Sequence, residues 1–119
     1  MTENKKYDLE ERTFNFARNV RKFVQLLPHS IILRDDIGQV IRSSGSIGAN
    51  YIEANESLSK KDFVMRVKIS RKEAKETIYW LKLLSGETLS HEVEEQRNTL
   101  EHEVTELMHI FGSIISKVS

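Results

Sequence analysis

Apolar side chains recur along the chain at spacings of 3 and 4, the period that stacks them on one face of an α-helix. Four runs stand out. In the first, Leu9, Phe16, Val20, Phe23 and Leu27 fall 7, 4, 3 and 4 apart before Pro28 stops the helix. The second runs Leu33, Ile37, Val40, Ser44, Ile47, Tyr51 and Ala54, with Ser30 placed to cap it. The third opens at Ser59-Lys-Lys-Asp62, a capping-box variant, and continues through Phe63, Val67, Ser70, Ala74, Thr77, Leu81 and Leu84 to an end near Gly86. The fourth follows Thr88 or Ser90 and carries Val93, Leu100, Val104, Leu107, Phe111, Ile114 and Val118. Four helices of about 18 to 28 residues with short connections predict an all-α, antiparallel up-down-up-down four-helix bundle. Its length suits a single domain over residues 1–119.

The second run is unusual between Ser43 and Ala49, where only Ile47 is larger than serine or alanine. A flexible linker has no reason to keep register, yet the 4–3 spacing passes straight through, so the reading is a continuous helix over residues 41–55. Two interior glycines cost that helix roughly 1 kcal/mol each relative to alanine, so close packing should offset them. Around this helix, Val40–Ser44–Ile47–Tyr51 is the core seam. Ile41, Gly45, Gly48 and Ile52 form a second stripe, a shallow groove that another backbone could enter. Ser43, Ser46, Asn50 and Glu53 form a third.

The third helix carries a second seam about 100° from its core: Arg66, Ile69, Glu73, Glu76, Trp80 and Leu83. Antiparallel pairing about a turn near residue 58 sets Arg66 near Asn50 and Glu53, and Glu73 near Arg42. Two readings remain: a half-exposed salt-bridge rim, or a semi-buried polar network of Arg42, Ser46, Asn50, Glu53, Arg66, Glu73 and Glu76 that fixes register and partner geometry. Ile69 and Trp80, interleaved among the charges, favour the network. On the first helix, Tyr7 and Phe14 lie one heptad apart, nearly opposite the core seam. Contiguous apolar patches of this kind are seldom exposed on a small soluble monomer. The expected assembly is a cyclic homo-oligomer with Phe14, Ile41, Gly45, Gly48, Ile52, Ile69, Trp80 and Leu83 at its interface.

Ser46-Ile47-x-x-Asn50-x-x-Glu53, then Phe63, then Glu73-x-x-Glu76-x-x-x-Trp80-Leu81-x-x-Leu84 resembles the bacterial four-helix bundle proteins called 23S rRNA intervening sequence proteins. The resemblance runs from Asp8-Leu9-Glu10-Glu11-Arg12-Thr13 through Ser113-Ile114-Ile115. It implies a ring-like homopentamer of poorly defined role. The chain is also similar to accessory proteins of diversity-generating retroelements, which bind nucleic acid and a reverse transcriptase.

Charge refines this picture. The totals balance, 18 basic against 18 acidic, so no global field drives the chain toward nucleic acid or an anionic membrane. The distribution is uneven: residues 59–86 hold eight basic and three acidic side chains, residues 87–119 two basic and seven acidic. Lys61, Lys68, Lys72, Lys75 and Lys82 stack opposite the core of the third helix, along about 30 Å at 1.5 Å per residue. That stripe is either a solvated face balanced by the fourth helix or a phosphate-tracking stripe repeated around a ring. With no aromatic read among these lysines, base stacking is not expected. Glu92, Glu95, Glu103 and Glu106 mostly face outward, so the fourth helix should not be a nucleic-acid surface.

No motif for chemistry survives scrutiny. Glu106-x-x-His109 matches the Glu-x-x-His unit of di-iron carboxylate bundles, but such a site needs two of these units and this one stands alone and points outward. Glu53-x-x-Glu56 and Glu73-x-x-Glu76 have arginines nearby and no histidine on their faces, which favours ion pairing over metal binding. Gly45-Ser-Ile-Gly48 lies inside a helical pattern, unlike the loop of a nucleic-acid clamp. No cofactor, metal site or catalytic residue is expected. The lack of cysteine excludes disulfides, and the polar start without an apolar h-region suggests a cytoplasmic protein with no membrane partner. The sequence therefore reads as a non-enzymatic, oligomeric adaptor recruiting RNA, DNA or a protein such as a nucleic-acid-processing enzyme. The alternative is an RNA-binding protein associated with rRNA intervening sequences.

Overall fold

Ser30, Ser59 and Ser90 each accept a hydrogen bond from the backbone N–H three residues on: Leu33 at 3.0 Å, Asp62 at 3.1 Å and Val93 at 3.2 Å. Each bond satisfies one of the donors that a helix start leaves unpaired. The three caps open α2 (Ile31–Asn55), α3 (Lys60–Leu83) and α4 (His91–Val118), which follow α1 (Lys5–Val24). The computed structural model describes residues 5–86 and 89–119, and side chains from Leu9 onward. The Tyr7 side chain and Thr88, the other candidate cap of α4, lie outside the described residues. α1 stops earlier than Pro28 suggests. Leu26 and Leu27 donate instead to the carbonyls of Phe23 and Val24, three residues back, in a tightened last turn, since the residue before a proline disfavours the α conformation.

Each helix packs on the next in the chain and α1 also meets α4, with no close backbone approach across either diagonal among the described residues. Contacts pairing Thr77 with Ser43, Ser70 with Ile47 and Arg66 with Asn50 run in opposite directions along α2 and α3, so these neighbours are antiparallel. The core follows the predicted seams: Val20, Val40, Ile47, Val67, Leu81, Val104, Leu107 and Phe111 are fully buried. Tyr51 tilts against Phe111 with ring centroids 5.7 Å apart. No helix of the described residues is long and apolar enough to cross a membrane.

α2 is helical without a break through Ser43–Ala49. Its small residues serve two neighbours at once. Toward α3, the Thr77 hydroxyl donates to Ser43 Oγ at 2.8 Å and the Ser70 hydroxyl to the Ile47 carbonyl at 2.9 Å, both buried. Toward α1, a Cβ on Gly48 would stand 2.8 Å from Thr13 Oγ1, so only glycine permits this approach. The expectation that Gly48 opens a groove to another subunit is therefore corrected: α1 of the same chain fills it. Gly45 lies beside Arg21, whose Nη2 is 3.4 Å from where a Cβ would sit. The helical wheel gave one core face, but a helix in a square bundle has two neighbours about a right angle apart. Ser43 and Gly48, on the stripes flanking that seam, make contacts to them.

Candidate nucleic-acid interface

The lysines of α3 lie where the period places them. Lys61, Lys68, Lys72, Lys75 and Lys82 are all exposed, on the side away from the core. They are not electrostatically equivalent. Lys82 is drawn to Glu101 of α4 at 4.0 Å, and Lys61 sits near the start of the helix beside Asp62. Lys68, Lys72 and Lys75 take part in no ion pair among the described residues, and neither does Arg71 next to them.

The face widens onto α4. Arg71 and Lys75 line a shallow groove with His109, Gly112, Ser116 and Lys117. Arg71 lies across Gly112, where a Cβ would meet its Cδ at 3.9 Å. From Leu107 to the end α4 has no acidic residue, so nothing on that side neutralises the lysines. The acidic character assigned to α4 holds for its first half only, and its last turn adds a cation to the basic face. Glu103, expected outward, is half-buried and accepts a forked pair of bonds from Arg12 at 2.7 and 2.9 Å. Glu106 takes a third bond from the same guanidinium, so no metal-type pairing with His109 arises. These carboxylates hold the Arg12 pKa above its ordinary value, Glu103 contributing most.

One aromatic does share the stripe. Residues 68, 72, 75 and 79 follow a 4–3–4 spacing, and Tyr79 lines the same groove as Lys68, Arg71, Lys72 and Lys75. The expectation of no interleaved aromatic is corrected on this point. Tyr79 is 58 % exposed and meets Trp80 edge-on, centroids 5.1 Å apart and planes at 78°. Among the described residues one carboxylate lines the groove, Glu76, and Arg42 engages it at 2.9 Å.

The polar residues of α2 and α3 meet on the flank beside this face. Arg42 Nη2 lies 3.3 Å from Glu73 Oε1 as well as contacting Glu76. Arg66 donates to Asn50 Oδ1 at 3.1 Å, Asn50 Nδ2 to the Ser46 carbonyl at 2.9 Å, and Ser46 Oγ to the Arg42 carbonyl at 2.9 Å. Glu53 stays exposed and forms no ion pair with Arg66 among the described residues, so it drops out of the network. Glu73 is buried, and its Oε1 receives no well-directed hydrogen bond, only the charge of Arg42.

Of the expected interface residues, Ile41, Gly45, Ile69 and Trp80 are half-buried, while Phe14, Ile52 and Leu83 are exposed. The Arg18 guanidinium lies over the Phe14 ring, 5.8 Å from its centroid. Sequence reasoning missed Arg97, which is buried although arginine rarely is. It bonds Glu101 at 2.7 Å, Glu94 at 2.9 Å and the Leu81 carbonyl at the end of α3 at 3.2 Å. Burial works against its charge, but the bonds to Glu94 and Glu101 outweigh that and raise its pKa. Among the described residues no three His, Asp or Glu side chains are grouped to hold a metal ion.

A model of the family described as 23S rRNA-intervening sequence protein matches residues 5–113. A crystal structure of a protein of unknown function from the S23 ribosomal protein family of Bacteroides thetaiotaomicron superposes with a TM-score of 0.76 at 31% identity, covering 90% of this chain and 97% of that one. No curated protein matches the chain.

Proposed function

Since the chain belongs to the 23S rRNA-intervening sequence protein family, we propose that it is a non-enzymatic, homo-oligomeric adaptor that holds RNA by its phosphates on the basic face of α3. The observation that carries this reading is the grouping of four unpaired cations on one face of α3. Arg12, Arg42, Lys82 and Arg97 are each matched to carboxylates, whereas Lys68, Arg71, Lys72 and Lys75 share one face without an acidic partner among the described residues. Four such cations within eight residues of one helix hold a local field there even though the net charge of the chain is zero. Repetition around a ring multiplies weak phosphate contacts through effective concentration. Five copies are what the family resemblance implies. Phe14, Leu83 and half-buried Trp80 supply apolar surface for the contact between subunits, and an RNA partner is consistent with a cytoplasmic location.

The test is binding of a structured RNA followed by fluorescence anisotropy between about 50 and 200 mM salt. Wild type should bind with a steep salt dependence. Replacing Lys68, Lys72 and Lys75 together by glutamine should weaken binding and lower the log–log slope by roughly 2 to 3. Absence of binding at the lowest salt, or a slope unchanged in the triple variant, would refute the reading.

A further inference from the structure

The cationic face carries more than charge, because its period includes a ring. Lys68, Lys72, Lys75 and Tyr79 stand on consecutive turns of one helix, roughly 5 Å apart along its axis. Phosphate contacts need only the lysines, and they serve duplex and single strand alike. An exposed aromatic serves the two differently. In a duplex the base faces are already stacked on one another, so a flat ring beside the backbone finds no partner. In a single strand each base offers a π-face, and aromatic side chains set among cations are how such strands are held without sequence preference.

Tyr79 is built for the second task. Its ring is more than half exposed, and the edge-on contact with Trp80 leaves at least one of its faces uncovered. Trp80 is itself half-buried against the core, so it braces Tyr79 from one side. Ordering the ring in advance lowers the entropy lost when a base settles on it. The carboxylate that lines the groove among the described residues, Glu76, is turned to Arg42 at 2.9 Å.

We propose that this face is a single-strand site: a base stacks on Tyr79 while the flanking phosphates lie along Lys75, Lys72 and Lys68, with Arg71 beside them. The assignment rests on the nucleic-acid reading above, and the experiment separates the two. A fluorescein-labelled single-stranded RNA of mixed sequence and its fully paired duplex are titrated with the native oligomer at one salt concentration. The proteins compared are wild type, Tyr79→Ala, Tyr79→Leu and Tyr79→Phe, each first shown by light scattering to keep the wild-type mass. Leucine keeps apolar bulk next to Trp80 but offers no π-face, so it controls for damage to the surrounding surface. The single strand should bind more tightly than the duplex. Alanine and leucine should weaken single-strand binding by roughly 5- to 150-fold, the value of one base–aromatic stack, and leave duplex binding unchanged. Phenylalanine should bind as wild type. Equal affinity for both forms, or a leucine variant that holds the single strand as well as wild type, would overturn the stacking site while phosphate binding stands. Failure of wild type to bind either form removes both readings.

Discussion

The glycines of α2 form a series in which the same substitution meets three different surroundings. Replacing any of them by alanine raises intrinsic helix stability by about 1 kcal/mol. At Gly38 a new Cβ meets nothing within 4 Å, so the gain should appear in full. At Gly45 the nearest atom is the tip of the Arg21 guanidinium at 3.4 Å, the far end of a flexible side chain held only by an exposed bond to the Ala17 carbonyl, so most of the gain should survive. At Gly48 the Cβ would stand 2.8 Å from Thr13 Oγ1 and 3.1 Å from Thr13 Cβ. Thr13 cannot yield easily, because it is buried and its hydroxyl is bonded to the Leu9 and Glu10 carbonyls, each at 2.9 Å. α1 must then shift away from α2, and overpacking of this kind costs about 1 to 3 kcal/mol. Since all three variants share the propensity gain, the informative quantity is the difference between Gly48→Ala and Gly38→Ala. We expect Gly48→Ala to be the less stable by about 2 kcal/mol, or roughly 8 °C in Tm for a chain of this length. Urea unfolding followed by circular dichroism reads it as a change in midpoint at constant slope. Protomer concentration must be equal throughout, because assembly stabilises the folded state by mass action. Equal midpoints for the two variants would show that α1 does not rest on Gly48, and the packing argument would fail.

Arg97→Ala should destabilise the fold by about 1.5 to 3 kcal/mol, because it removes a buried guanidinium and its charged hydrogen bonds to Glu94 and Glu101 together with its bond to the Leu81 carbonyl; a loss under about 1 kcal/mol in urea would show the cluster to be a surface pair after all. The bond from Arg97 holds the Glu94 pKa below its ordinary 4.5. Its contribution is present in full above that value and disappears as pH falls through the lower folded-state pKa. Acid unfolding of Glu94→Gln should therefore be less steep below pH 4.5 than that of wild type, and superimposable profiles would contradict this. Light scattering at micromolar protein should give a multiple of 13.8 kDa for wild type and a smaller mass for Trp80→Ala, whereas a wild-type mass of one protomer would dispose of the assembly.

Most of the fold was legible because it depends on local periodicity. Three serines at helix starts, a proline after the first helix and a 4–3 spacing through Ser43–Ala49 act within a few residues of themselves, and no tertiary contact had to be known to read them. Antiparallel pairing about residue 58 was enough to set Arg66 beside Asn50 and Arg42 beside Glu73. The place of Tyr79 was equally available from its spacing to Lys68, Lys72 and Lys75, and was passed over because the stripe was defined by charge rather than by angle.

What the sequence could not decide is which neighbour covers each flank of a helix. Gly48 announces a close approach, but its occupant is set by how the four helices are arranged around the core, and that arrangement puts Thr13 there. Arg97 and Glu103 look like ordinary surface charges until α3 brings the Leu81 carbonyl and α1 brings Arg12. The same holds for the basic face, where Arg71 of α3 and Lys117 of α4 share one groove. Periodicity records the direction in which each side chain leaves its own helix, and so determines the helices and their core. Partners belong to pairs of helices, and only their packing in three dimensions decides which pairs exist.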